Sequence, residues 1–143
     1  MEFKPQKNNK ILAEIFYLFL IAFFCYTAVN KLMNLDSFRT NLMKTSLFSE
    51  EVAKYFSVFV IIFEIIVILI MVFYKKIGLL FLSIMILTFT IYISFLNFKG
   101  LYEVCGCGGI LNGLSYKYHL TINIFLCVST IYSFVIFNSK TNE

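Results

Sequence analysis

Four apolar runs, each close to twenty residues long, constrain this chain more than anything else in it. They are Ile11 to Val29, Val52 to Tyr74, Ile77 to Phe98 and a last one reaching about Phe137. A hydrocarbon core about 30 Å thick needs roughly twenty residues of helix to cross. Backbone polar groups in lipid must be satisfied internally, so runs of this length predict helices rather than open strands. Composition agrees: 60% of residues are hydrophobic and 14% charged, well outside the range of a soluble domain. The expected fold is an all-α membrane protein, a bundle of four transmembrane helices at about 11–29, 52–74, 77–98 and 118–137, within one domain over 1–143.

The segments between the runs add detail. Lys4, Lys7 and Lys10 precede the first run, which imitates a signal peptide. Its far end, Ala22-Phe23-Phe24-Cys25-Tyr26-Thr27, offers neither a small-x-small cleavage site nor a lipoprotein-type box, so it reads as a retained helix. Glu14 is expected to snorkel or to pair with Lys10. From Asn30 to Ser49, Leu32, Leu35, Phe38 and Leu42 recur at helical spacing among Lys31, Asp36, Arg39 and Lys44, which predicts an amphipathic segment along the interface. Ser49 before Glu50 and Glu51 has the form of a helix start, with a hydroxyl cap and first-turn carboxylates. Lys75 and Lys76 form a two-residue hinge between the second and third runs, and Ser115 caps the fourth.

Four crossings put both termini on one side and gather all four cysteines at the opposite face. Cys25 then lies roughly 7 Å and Cys127 roughly 10 Å below the surface, at 1.5 Å of rise per residue. The charge of +4 does not settle orientation. Lys4, Lys7, Lys10, Lys75, Lys76 and Lys140 fall on the terminal side and Lys31, Arg39, Lys44, Lys54, Lys99 and Lys117 on the other. Tighter clustering at the terminal side favours cytoplasmic termini. No basic cluster suggests nucleic acid, and the lysines beside the runs suit lipid head groups.

Chemistry concentrates in Tyr102-Glu103-Val104-Cys105-Gly106-Cys107-Gly108-Gly109. A disulfide across Cys105 and Cys107 would close a very small loop, remove little unfolded-state entropy and be strained, hence oxidising. The pair therefore points to redox or metal chemistry. His119, Asn123 and Cys127 form one stripe at i, i+4 and i+8, where an imidazole could stabilise a thiolate or move a proton; the plainer reading of His119 is an aromatic anchor beside Tyr116 and Tyr118. Glu64, in mid-membrane, must face the bundle, protonated or hydrogen-bonded, with Tyr92, Thr88 and Asn97 as expected partners and a proton relay, a polar head-group site or a structural link as its role. The remaining Tyr residues at helix ends read as belt anchors.

These residues resemble the DoxX-like family of four-helix membrane proteins related to the methylamine utilisation protein MauE. The resemblance is carried by Asn30-Lys31-Leu32 with Phe38, by Glu64, by Cys105-Gly106-Cys107-Gly108-Gly109, and by Leu114-Ser115 with His119-Leu120 and Asn123. Val104 and Gly108 stand where many members have an acidic residue and Phe. It implies an inner-membrane protein whose two-thiol turn faces the periplasm and which takes part in disulfide handling during maturation of envelope proteins; Cys25 and Cys127 lie outside its motif.

Together these readings give a thiol–disulfide oxidoreductase, with Cys105 and Cys107 exchanging electrons with a periplasmic thiol protein or oxidoreductase. Cys25 and Cys127 would act as a second dithiol beneath them, and His119 and Glu64 are further candidates for the site. The residues assign no cofactor, and the electron acceptor stays open between a quinone and a partner oxidoreductase. Two other readings stay open as well: Cu(I) or Zn(II) binding by Cys105, Cys107 and either His119 or a membrane cysteine, and an assembly subunit without chemistry.

Overall fold

The computed structural model describes residues 7–102, 111 and 113–139, and among them it is all helix, with no strand. The elements are α1 (Lys7–Met33), α2 (Leu35–Lys44), α3 (Glu50–Phe73), α4 (Lys75–Phe98) and α5 (Tyr116–Ser139). Four of these, all but α2, are long and apolar enough to cross a membrane. Large apolar side chains stand exposed along their outer faces, among them Leu18, Phe59, Leu87, Ile91 and Val128. Such surface would be an aggregation hazard in water and is what lipid contact requires. The protein is a multi-pass membrane protein built as a four-helix bundle, with the short amphipathic helix α2 following the first span.

The four spans pack as a ring in the order α1, α3, α4, α5, each against its two neighbours, while α2 packs along α3. Two ends of the bundle are fixed by polar contacts. At the end that carries the chain termini, Lys75 at the start of α4 reaches both carboxylate oxygens of Glu14 at 2.9 Å and lies over the rings of Tyr17 and Phe137. Glu14 therefore pairs across the bundle with Lys75 rather than along its own helix with Lys10. Lys75 stands at the positive end of a helix dipole, and the Glu14 carboxylate offsets that placement.

The hinge between α3 and α4 is Tyr74 alone. Its N–H bonds the carbonyl of Ile70 and its carbonyl accepts from Gly78 N–H, so one non-helical residue closes both helices. The expected Lys75-Lys76 hinge is thus already the first turn of α4. A Cβ on Gly78 would overlap the backbone of Met71, so glycine lets α4 approach α3 there. Tyr17 ties α1 to this end by donating its hydroxyl to the Met71 carbonyl.

The core differs between the two halves of the bundle. In the half nearer the termini, Leu20, Val67, Met71, Leu79 and Leu82 are fully buried and close-packed. The polar residues buried nearer the termini, Ser129, Thr130 and Ser133, are hydroxyls that donate to backbone carbonyls, whereas toward the other end Thr27 is joined by the charged and ring or amide groups of Lys31, Glu64, His119 and Asn123. There α2 lies beside α3, with Phe38, Leu42, Ala53 and Ile61 forming a second apolar cluster and Phe48 stacking on Phe56 at 4.9 Å. Ser49 caps α3 as expected, its hydroxyl accepting from Val52 N–H at 3.5 Å.

Candidate functional site

The polar half of the bundle surrounds a cavity of about 150 Å³ to which every helix contributes. α1 supplies Phe24, Thr27 and Lys31, and α2 supplies Phe38 and Leu42. α3 brings Phe56 and Glu64, α4 brings Thr88, Phe89 and Tyr92, and α5 brings His119 and Asn123. Leu111, after the two-thiol turn, also lines it.

Glu64 anchors the site. Its side chain is fully buried, as a mid-membrane carboxylate must be, and its partners come from α1. Lys31 Nζ lies 2.8 Å from one carboxylate oxygen, and Thr27 donates to the other at 2.6 Å. The expected partners on α4 are not used. Thr88 donates to the Ile84 carbonyl in its own helix, and Asn97 stands beside the loop rather than in the cavity. Tyr92 shares the cavity without bonding Glu64. The reason is register: α1 and α3 run antiparallel with Tyr17 against Met71, which brings Thr27 and Lys31 level with Glu64.

Lys31, expected as a surface charge of the interfacial segment, is only 5% exposed and lies 5.0 Å from the centre of the Phe89 ring. α1 runs on to Met33, four residues past the expected end, so Lys31 extends the inward stripe of Tyr17, Leu20, Phe24 and Thr27. That stripe was the available signal. A charge at the next inward position after an apolar run is a candidate partner for an intramembrane carboxylate.

His119 and Asn123 do face inward on one stripe of α5, and both are buried. His119 is 2% exposed, which rules out the head-group anchor. Its Nδ1 lies 2.9 Å from the Tyr102 hydroxyl. Burial first, and then the neighbouring Tyr116, raises the Tyr102 hydroxyl above its ordinary value, so it stays protonated at neutral pH. The hydroxyl donates to Nδ1 or accepts from Nδ1–H according to the tautomer of the ring. Tyr116 pairs with Ser94 at 3.1 Å and packs edge-on to Tyr102. These two tyrosines therefore belong to the site rather than to a lipid belt. Asn123 donates to Thr90 on α4 at 3.2 Å. The hydroxyl of Tyr92 is buried and has no hydrogen-bond partner among the described residues.

Cys127, the third member of the stripe, is half-buried against the main core cluster, as is Cys25 on α1, and both are free thiols. Ser133 bonds the Ala13 carbonyl, which puts Cys127, six residues earlier on α5, level with position 19 of α1. Cys25 is six residues further along, a rise of roughly 9 Å. The expected common depth is therefore not found. Cys105 and Cys107 lie outside the described residues, and so does any ligand set containing them.

The arrangement is a chamber walled largely by aromatic rings, with a neutralised ion pair on one wall and hydrogen-bonding groups on the others. A buried charge pair of this kind is held by its geometry, since each ion would be costly without the other.

Residues 9–136 match the family of the methylamine utilisation protein MauE. No curated protein and no solved structure matches the chain. With nearly all of its length matched to that family, and with four spans arranged around a membrane cavity, the chain belongs to the MauE family.

Proposed function

We propose that this protein carries out thiol–disulfide exchange at the outer face of the inner membrane, with Cys105 and Cys107 as the exchanging pair. The observation that carries the reading is how the chain on both sides of these thiols is held. Three residues before Cys105, Tyr102 is bound to the buried His119; four residues after Cys107, Leu111 is buried against the cavity. The described residues nearest to the two thiols on either side thus both sit at the polar half of the bundle. An imidazole fixed there can accept or return a proton as thiol becomes thiolate, the form that attacks a disulfide. In this reading the termini are cytoplasmic and the turn periplasmic, where the compartment sustains disulfides.

In the simplest exchange the Cys105–Cys107 disulfide takes two electrons and two protons from a pair of thiols on a partner protein, leaving the partner with a disulfide and Cys105 and Cys107 as thiols. Acid-quenched alkylation of the protein in its native membrane is expected to show Cys105 and Cys107 cycling between reduced and oxidised forms. Cys107→Ser is expected to trap a mixed disulfide at Cys105. Thiols that stay reduced under every physiological oxidant, or function that survives Ser at both positions, would overturn the proposal.

A further inference from the structure

We infer that the cavity in the polar half of the bundle is a site for the ring of a membrane quinone. Size is the first argument. Apolar-lined cavities of about 150 Å³ take one benzene-sized ring, and this chamber has that volume. Its wall is almost wholly apolar and is built largely from phenylalanine rings, notably Phe24, Phe56 and Phe89. Flat rings pack well against such surfaces.

Charge is the second argument. Lys31 and Glu64 neutralise each other at 2.8 Å, so the chamber offers no net charge to a phosphate or ammonium head group and suits an uncharged ligand. The third is an unanswered donor. The Tyr92 hydroxyl is buried and lacks a partner among the described residues. A saturated acyl chain would leave it so, whereas a ring carbonyl would accept its hydrogen bond. Asn123 has a second carboxamide hydrogen beyond the one given to Thr90, available to another oxygen.

The fourth argument is access. Thr88 lines the cavity yet stands exposed on the lipid-facing side of a membrane-spanning helix. The chamber therefore opens sideways into hydrocarbon, where a lipid tail can remain while the ring enters. This inference rests on the thiol-exchange reading for the origin of the electrons. Cys105 and Cys107 lose two electrons and two protons in forming a disulfide, and the quinone gains both to leave as the hydroquinone.

The test is equilibrium binding of a decyl-substituted benzoquinone to the full chain in phosphatidylcholine nanodiscs, corrected for partition into empty nanodiscs. Saturable binding of one quinone per chain is expected. Tyr92→Phe should weaken it roughly tenfold, the effect of one lost hydrogen bond. Thr88→Trp, which places a ring at the mouth with room toward lipid, should abolish it, and Tyr92→Phe carries the test if that variant does not fold. Decylbenzene, with the same tail and no oxygens, should fail to compete. Partition without saturation, equal competition by decylbenzene, or indifference to Tyr92→Phe would each overturn the inference. The variant with Ser at both 105 and 107 should bind as the wild type does. Binding with thiols that never cycle would sustain the site and defeat the exchange reading, while cycling thiols without binding would do the reverse.

Discussion

Lys31 and Glu64 show how far one residue's environment can depart from its sequence neighbourhood. Lys31 sits among polar residues in the chain and is nonetheless buried, because α1 continues past its apolar run and turns it inward. Removing one member leaves the other an unpaired buried ion, so Lys31→Met and Glu64→Leu should each destabilise the protein by about 3–5 kcal/mol. Combining them should recover most of that loss, because the double replacement removes both ions together. Denaturant unfolding in detergent, arranged as a double-mutant cycle, would show it. Equal and additive losses would mean that the two groups do not interact.

Tyr102 supplies a pH dependence. The fold raises its hydroxyl above the usual value of 10.0, chiefly by burial, and thereby favours the protonated form. Its contribution to stability is then fully present below pH 10 and lost as pH rises through the raised value. The thermal midpoint of the wild type should fall in that alkaline range more steeply than that of Tyr102→Phe. Parallel curves for the two proteins would refute the assignment.

Among the elements, the α3–α4 hairpin is the most tightly specified. A single residue, Tyr74, turns the chain, and Gly78 allows the two helices to meet at Met71. Gly78→Ala should cost about 1–3 kcal/mol through overpacking, despite the better helix propensity of alanine. A raised thermal midpoint for this variant would show that the close approach is not required. The cap at Ser49 is a smaller matter: Ser49→Ala should cost about 0.5–1 kcal/mol, toward the low end for caps because the bond is long and exposed.

The elements themselves were readable from the chain because length and apolarity determine a membrane span almost without regard to neighbours. So were the amphipathic nature of α2, the cap at Ser49 and the inward stripe of His119 and Asn123, each a local pattern of period 3.6. Partners were not readable. Lys75 instead of Lys10 for Glu14, and Lys31 instead of Tyr92 for Glu64, depend on the offset between antiparallel helices, which no single helix encodes. The depth of Cys25 relative to Cys127 failed for the same reason. The cavity was invisible too, since a void arises from what five helices together leave unfilled.

At the scale of the whole molecule, the bundle is divided along the membrane normal into a close-packed half near the termini and a polar, hollow half beyond it. In the proposed orientation the hollow half is outermost. A membrane-impermeant maleimide applied to intact spheroplasts should then label reduced Cys105 and Cys107, and labelling only after permeabilisation would invert the topology.

The buried ion pair has a further meaning for energetics in a living membrane. Lys31 and Glu64 are opposite charges held at one level, so a voltage across the bilayer pulls on them equally in opposite senses and does no net work. Among the described residues no other Lys, Arg, Asp or Glu is buried in the interior, and the core toward the termini is close-packed. The thiol exchange proposed for the reconstituted protein should therefore be blind to an imposed diffusion potential.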